Sequence, residues 1–494
     1  MNLVLYLYFI ILVILSVFGF HRYYLVYLHR RYRGMAPKEL FFDDLTHVPT
    51  VTVQLPIFNE RYVLERLLES VAQLDYPRDK LEIQVLDDST DETAVFSQRL
   101  VEEYQRQGLQ MEWIHRVNRV GFKAGALNDG LKIAKGEFIA VFDADFVPDP
   151  DFLKKVVPQF ASDQKLGMVQ ARWGHLNRDF SMLTQTQAIF LDGHFVIEHA
   201  ARNRSGLFFN FNGTAGVWRR ACIEDTGGWS AETVTEDLHL SYRAQMKGWQ
   251  FRFLNDVVVP AELPVEINAF RSQQHRWAKG SIQTALKLLP EIMRRPFPLR
   301  IKVEAFFHLC SNFAYLLMFI ISVLMPFTIY ARHQLGWDTL LVLDIPLFLG
   351  ATFSIVTFYL YSQKEAEGKG WLTRLKFIPL NFALGIGLCV NNSWAVIDAL
   401  LHEGGDFTRT PKYAVHKKGD SWVDKKYRVH WNWLNLVELA LAAHLTGGLY
   451  YVLLHRLYFA LPYVLLFQVA FLYMGWSSLH SFFRGSRLVP SLQV

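Results

Sequence analysis

Hydrophobic and polar positions change rhythm along this chain, and the changes divide it. The run VTVQLPIF at 51–58 is β-branched, and the stretch ERYVLERLLESVAQL that begins at Glu60 places apolar residues at helical spacing, so a strand, a turn and a helix are predicted in order. LEIQVLDDST at 81–90 repeats the pattern: an apolar strand, then Asp87, Asp88, Ser89 and Thr90 at its carboxyl end, then a helix from about Asp91. Strands near 110–115 and 137–142 complete an alternation of strand and helix, which predicts a mainly parallel sheet covered on both faces.

On either side of this region the pattern is apolar throughout. Residues 2–20, NLVLYLYFIILVILSVFGF, carry no charge and are long enough to cross a bilayer as a helix. A cleaved signal would need a basic start and a small-residue cleavage site. Neither is present, and the aromatic, basic stretch HRYYLVYLHRRYR follows, so residues 1–32 read as a retained anchor. Further apolar stretches fall at about 303–330, 339–361, 433–454 and 457–479. Asn381, Asn391, Asn392 and Asp398 interrupt another at 375–401.

Composition sharpens the division. Of 494 residues 51% are hydrophobic, and the mean hydropathy of +0.12 is high for a chain living in water alone. Lysine and arginine follow the first apolar segment, flank 287–302, lie in 363–376 and crowd KKGDSWVDKKYR at 417–428. If these four regions face the cytoplasm, the second and third apolar stretches form one out-and-back pair, and 375–401 cannot cross. It is expected to lie on the membrane surface as an amphipathic helix. Five spans follow, with the N-terminus outside and the catalytic domain and C-terminus cytoplasmic, in a plasma, inner or Golgi membrane.

Topology accounts for the net charge of +5, so nucleic acid is not implied as a partner. Cys222, Cys310 and Cys389 match no metal-ligand spacing, and a reducing compartment disfavours disulfides. There is no internal repeat, and nothing in the pattern sets an oligomeric state.

Chemistry concentrates at the strand ends. In IAVFDADFVPDP, 139–150, an apolar strand stops at Asp143 and Asp145, whose side chains leave one face about 6.6 Å apart if the strand continues. Two carboxylates held so close repel unless a cation sits between them. Neither GxGxxG nor GxxxxGK[ST] is present, so a divalent ion on Asp143 and Asp145 is the expected way to meet phosphate charge. An acid at one strand end is ordinarily a helix cap. Acids at two ends of one sheet edge, joined by Asn59, point to a ligand, because such sheets bind beyond the carboxyl ends of their strands. Glu236 and Asp237 open the amphipathic stretch 234–249, where compensation of the helix dipole is the plainer reading. Gln273, Arg276 and Trp277 share another helix, and for Trp277 alone core packing or the aromatic belt competes equally.

DDS at 87–89, DAD at 143–145, TED at 235–237 and QQHRW at 273–277 together resemble the signature of membrane-bound processive family-2 glycosyltransferases. The text around them, including QLPIFNE, GFKAGALN, VQARW and FNGTAGVWRRACIEDTGGW, is similar to cellulose synthase-like A and C enzymes and their bacterial relatives over about residues 50–290. The resemblance implies an α/β GT-A domain at 48–295 with a mixed, mainly parallel sheet, inserted between the anchor 1–32 and a helical membrane region 296–494. It implies inverting, Mg²⁺- or Mn²⁺-dependent transfer of hexose from a nucleotide sugar to a growing β-glycan at the bilayer. Asn59, Glu60, Asp87, Asp88, Lys123, Asp143 and Arg276 would then bind the donor, and Asp143 and Asp145 the metal. Asp237, beside Glu236, would be the general base, and Gln273, Trp277, Asn212, Gly213 and Thr214 would line the acceptor path.

FTRTPK at 407–412 resembles the gating loop of cellulose synthases, with Arg409 where valine is expected, and would bring Thr410 and Lys412 to the nucleotide from a loop at 405–418. UDP-glucose is placed first as donor, GDP-mannose second and UDP-N-acetylglucosamine third, with a β-1,4 linkage as the family-level expectation. A non-processive, lipid-directed transferase and a membrane transporter with a nucleotide-binding domain are the competing readings. Scarce intramembrane charge argues against an ion path.

Overall fold

The computed structural model describes residues 2–35, 40–337, 341–405, 410–420 and 432–486. Phe407, Thr408 and Arg409 of the expected gating loop, and 421–428 of the basic run, lie outside them. Seven strands form one sheet: β1 (Val51–Ile57), β2 (Leu81–Asp87), β3 (Met111–His115), β4 (Phe138–Val141), β5 (Leu166–His175), β6 (Gly216–Arg219) and β7 (Gln250–Ala261). Their order is β3-β2-β1-β4-β6-β5-β7. The first four run parallel, β6 is antiparallel to both neighbours, and β5 and β7 are parallel again, so the sheet is mixed and mainly parallel as expected.

β1 and β2 are buried on both faces, which is why they read as near-continuous apolar runs. Polar residues within them pair across the register: Thr52 donates to Glu82 at 2.6 Å and Gln54 to Gln84 at 3.0 Å. The helices Arg61–Ala72 and Thr93–Arg106 cover one face and Phe122–Ile133 the other, each over its own apolar cluster. Register sets Ile57 beside Asp87 and Gln54 beside Val141, so the β1, β2 and β4 ends open on one edge.

The helical region follows the apolar stretches with two differences. Among the described residues, five stretches are long and apolar enough to cross a membrane: Asn2–Arg31, Phe313–Gln334, Ile345–Leu401, Leu434–Leu454 and Leu461–His480. The expected span 303–330 breaks in two, because Leu299–Cys310 is a separate helix. Its Glu304 is buried and accepts from Arg202 Nε at 2.8 Å while facing His21 Nε2 at 2.8 Å, which docks this helix onto the sheet-containing domain and the N-terminal helix. The second difference is 375–401. Its helix, Ile378–Leu401, is buried without a break from Ile386 to Ser393, against the helices Ile267–Arg294, Phe313–Gln334 and Leu461–Ser486. The asparagines that suggested a water-facing side are used internally: Asn391 Nδ2 donates to the Arg271 carbonyl at 3.0 Å and to Asn392 Oδ1 at 2.9 Å.

Candidate active site

One cavity opens at the carboxyl edge of the sheet. Glu60 and Asp88 line it from beyond β1 and β2, Lys123 from the start of Phe122–Ile133, and Asp143 and Asp145 from beyond β4. Asn212 and Gly213 enter from the loop before β6, and Glu236 and Asp237 from the first turn of the helix Glu236–Met246. Gln273, Arg276 and Trp277 share one face of Ile267–Arg294 through their three- and four-residue spacing. Thr410 and Lys412 complete the wall from far down the chain.

Three of the expected residues sit behind the wall. Asn59, at φ 55°, clips β1 to the loop after β2: its backbone N–H donates to Ser89 Oγ at 2.9 Å, and its Oδ1 accepts from the Thr90 N–H at 2.8 Å. Asp87 is fully buried, accepting from the Ser89 N–H at 2.8 Å and Trp113 Nε1 at 3.0 Å. The Thr214 hydroxyl accepts from the Asp143 N–H at 2.9 Å and so fixes the strand end. Asp88 lines the cavity, but both its oxygens accept from Arg116, at 2.8 and 2.7 Å.

The repulsion between Asp143 and Asp145 is relieved by two lysines. Lys123 Nζ lies 2.5 Å from Asp143 Oδ1 and 2.9 Å from the Gly213 carbonyl. Lys412 Nζ lies 2.5 Å from Asp145 Oδ2 and also donates to the Glu262 carbonyl at 3.0 Å, while the Glu262 side chain accepts from the Tyr413 N–H at 2.7 Å. Among the described residues, no group of three or more His, Cys, Asp or Glu side chains is placed so as to hold a metal ion by itself. The pair nonetheless fits a divalent ion. It presents two hard carboxylates to one cavity, the number such ions commonly take from protein when a diphosphate supplies other oxygens.

Asp237 is set apart electrostatically. Burial and the neighbouring Glu236 push its carboxyl up to about 7, against the opposing pull of Lys123, the Leu238 N–H and Arg276. Gly213 makes room for it: at φ +83° the backbone is left-handed, and a β-carbon there would stand 2.9 Å from Asp237 Oδ2. Gln170 on β5 holds the same loop, accepting from the Asn212 N–H at 3.0 Å and donating to the Thr214 and Ala215 carbonyls at 3.1 Å.

The structure adds lining residues that sequence reasoning did not single out. Trp173 at the end of β5 lies 6.4 Å from Trp277 between ring centres and makes an aromatic corner of two indoles. It is the last letter of VQARW, so the signal was present without a role attached. Phe58, quoted within QLPIFNE without a role, lines the cavity too, as do Arg119, His175 and Glu262, which lay in no quoted motif.

A mixed, mainly parallel sheet with acids at its parallel strand ends is the arrangement of the GT-A fold. Residues 49–280 match the family described as Glycosyltransferase like family 2. The chain is 41% identical over 286 residues to glucomannan 4-beta-mannosyltransferase 1 of Oryza sativa subsp. japonica, covering 57% of this chain and 54% of that protein. It is 44% identical over 255 residues to glucomannan 4-beta-mannosyltransferase 2 of Arabidopsis thaliana, covering 50% and 47%. The chain thus spans about half the length of these curated relatives. Among solved structures, the mannosyltransferase PcManGT of Pyrobaculum calidifontis, in complex with GDP-Man and Mn²⁺, shares the fold, with a TM-score of 0.53 at 24% identity over 80% of this chain and 99% of that one.

Proposed function

We propose that this protein is a membrane-integrated inverting glycosyltransferase that adds hexose from a nucleotide sugar to the end of a growing β-linked glycan and passes the product through its helices. The observation that carries the reading is the meeting, in one cavity, of the Asp143–Asp145 pair, Asp237 and the Arg276–Trp277 face, drawn from three separate elements. The basic residues around the apolar stretches support a cytoplasmic catalytic domain.

Asp237 takes the proton of the acceptor hydroxyl as that oxygen bonds to the anomeric carbon. The bond from that carbon to the diphosphate breaks on the opposite face, which inverts the configuration. A carboxyl titrating near 7 is a stronger base than an ordinary one, and about half of it is in the ionised, proton-accepting form at pH 7. Lys123, Lys412 and Arg276 meet the charge that builds on the leaving diphosphate. A Mg²⁺ or Mn²⁺ ion held by Asp143 and Asp145 would add Lewis-acid neutralisation of the same charge. Trp277 and Trp173 offer indole faces to the apolar side of a pyranose ring.

The names of the plant relatives favour mannose, so GDP-mannose moves ahead of UDP-glucose, reversing the order drawn from motifs alone. The test uses the full chain in detergent with labelled GDP-mannose, UDP-glucose or UDP-N-acetylglucosamine and Mn²⁺, with products sized on a gel. A ladder of lengthening oligosaccharides from GDP-mannose supports the reading. A single glycolipid product would replace the polymer with the lipid-directed alternative, and no transfer from any donor would overturn the enzyme.

A further inference from the structure

The turn Asn118–Phe122, between β3 and the helix Phe122–Ile133, is built in an unusual way. Arg119 at φ 39° and Phe122 at φ 49° are both left-handed although neither is glycine, and Gly121 stands between them at φ 74°. Conformations of this cost persist where surrounding contacts over-determine them, and they gather at ligand clamps. Here the Phe122 N–H donates to the Arg119 carbonyl at 2.9 Å, and Arg116 ties the Phe122 carbonyl at 2.8 Å while holding both oxygens of Asp88.

The turn delivers the Arg119 side chain onto Phe58 at the end of β1. Its guanidinium carbon lies 3.3 Å from the Phe58 ring centre, a separation that only a flat stack allows, and 5.3 Å from that of Phe122. A guanidinium stacked flat on a ring points its planar N–H fork edge-on, away from the ring face. The Arg119 Nε is buried without a hydrogen-bond partner, and each oxygen of the nearby carboxylate, Asp88, already accepts from Arg116. Both Phe58 and Arg119 line the cavity at the β1 and β2 ends, whereas Trp277 enters from Ile267–Arg294.

We infer that Arg119 is a nucleobase-selecting residue of the donor site, reading a guanine in preference to a uracil. This rests on the nucleotide-sugar reading of the same cavity. A flat ring beside an open N–H fork suits a planar heterocycle with two adjacent acceptors. Guanine offers that pair at O6 and N7, and a bidentate arginine is its commonest reader. Uracil's two carbonyls, O2 and O4, are separated by the N3–H donor, so neither stands beside a second acceptor and either meets the fork with a single bond. Lys123 and Arg276 are left to the diphosphate, so Arg119 contributes to base choice rather than to charge.

Direct binding of GDP and of UDP to the full chain in detergent with Mn²⁺, without turnover, tests this. The wild type is expected to bind GDP at least about tenfold more tightly than UDP, and Arg119→Ala to bring the two within about threefold by weakening GDP alone. Arg119→Lys keeps the charge and loses the fork, so it should behave as the alanine variant does; it also serves as the measurement if Arg119→Ala does not fold. Equal weakening of GDP and UDP in the variants would make Arg119 a phosphate ligand and overturn the inference while leaving the transferase reading intact. A GDP preference kept by Arg119→Lys would overturn it too. If the wild type binds neither nucleotide, the nucleotide reading of the cavity falls and this inference with it.

Discussion

The cavity and the helical interior both neutralise carboxylates with cations, yet they do so differently. On the Asp143–Asp145 pair the cations are lysines: Lys123 on Asp143, whose side chain is 33% exposed, and Lys412 on Asp145. Two of the most deeply buried pairs of the interior use arginines. Arg202 meets Glu304 at 2.8 Å, and Arg271 meets Glu438 at 3.1 Å with both side chains almost completely enclosed. A lysine ammonium is a point charge on a flexible stem and can be exchanged for another cation or drawn off by phosphate, whereas the arginine fork locks planar partners in place. The first pairs hold a site in waiting, and the second join the catalytic domain to its helices.

Four experiments break or sharpen that contrast. The largest effect is expected from Asp237→Asn, which leaves cavity shape and donor affinity alone and removes the base. The turnover rate should fall by about 10²- to 10⁴-fold, and a variant with near-normal turnover would move the base elsewhere. Next, Arg271→Met or Glu438→Leu alone should cost about 3–5 kcal/mol in unfolding of the solubilised chain, because each leaves a buried charge without its partner. The double variant should recover most of the loss, and a double as unstable as the singles would make packing, not charge, the reason.

Lys412→Gln, in contrast, should cost much less stability. It should also tighten Mn²⁺ binding in the absence of nucleotide, roughly tenfold, by removing the cation that competes for Asp145. Destabilisation equal to that of Arg271→Met would erase the distinction between exchangeable and fixed pairs. The smallest effect is in the pH profile. Asp237 must be ionised to accept a proton, and its raised pKa means the protonated form grows as pH falls through about 7. kcat/KM should therefore halve near that pH and drop about tenfold per unit below it. A profile flat from pH 8 to 5.5 would assign the base to an unperturbed group.

Much of this site was legible because a parallel sheet gathers its loops at one edge. Reading Asp88, Asp143 and Asp145 as strand-end acids already placed them together, and helical spacing put Gln273, Arg276 and Trp277 on one face. What escaped depends on side-chain direction. Asn59 and Asp87 belong to the same edge but spend their polar atoms on neighbouring groups, Ser89 and Thr90 for Asn59, Ser89 and Trp113 for Asp87. Glu304 lay unremarked within the apolar stretch 303–330, and its bond to Arg202 depends on a partner about a hundred residues earlier. The asparagines of 375–401 suggested a face toward water because a linear pattern does not say which neighbour will satisfy a polar group.

The sequence by itself determined the alternating strands and helices, the apolar stretches and the order of the acidic motifs, since each follows from periodicity within about twenty residues. Only the tertiary structure decided that Lys412 reaches Asp145, 267 positions earlier, and that Arg119 lies on Phe58. Those contacts are made by chain closure over distances that local propensity does not encode, where packing and charge select one partner among many.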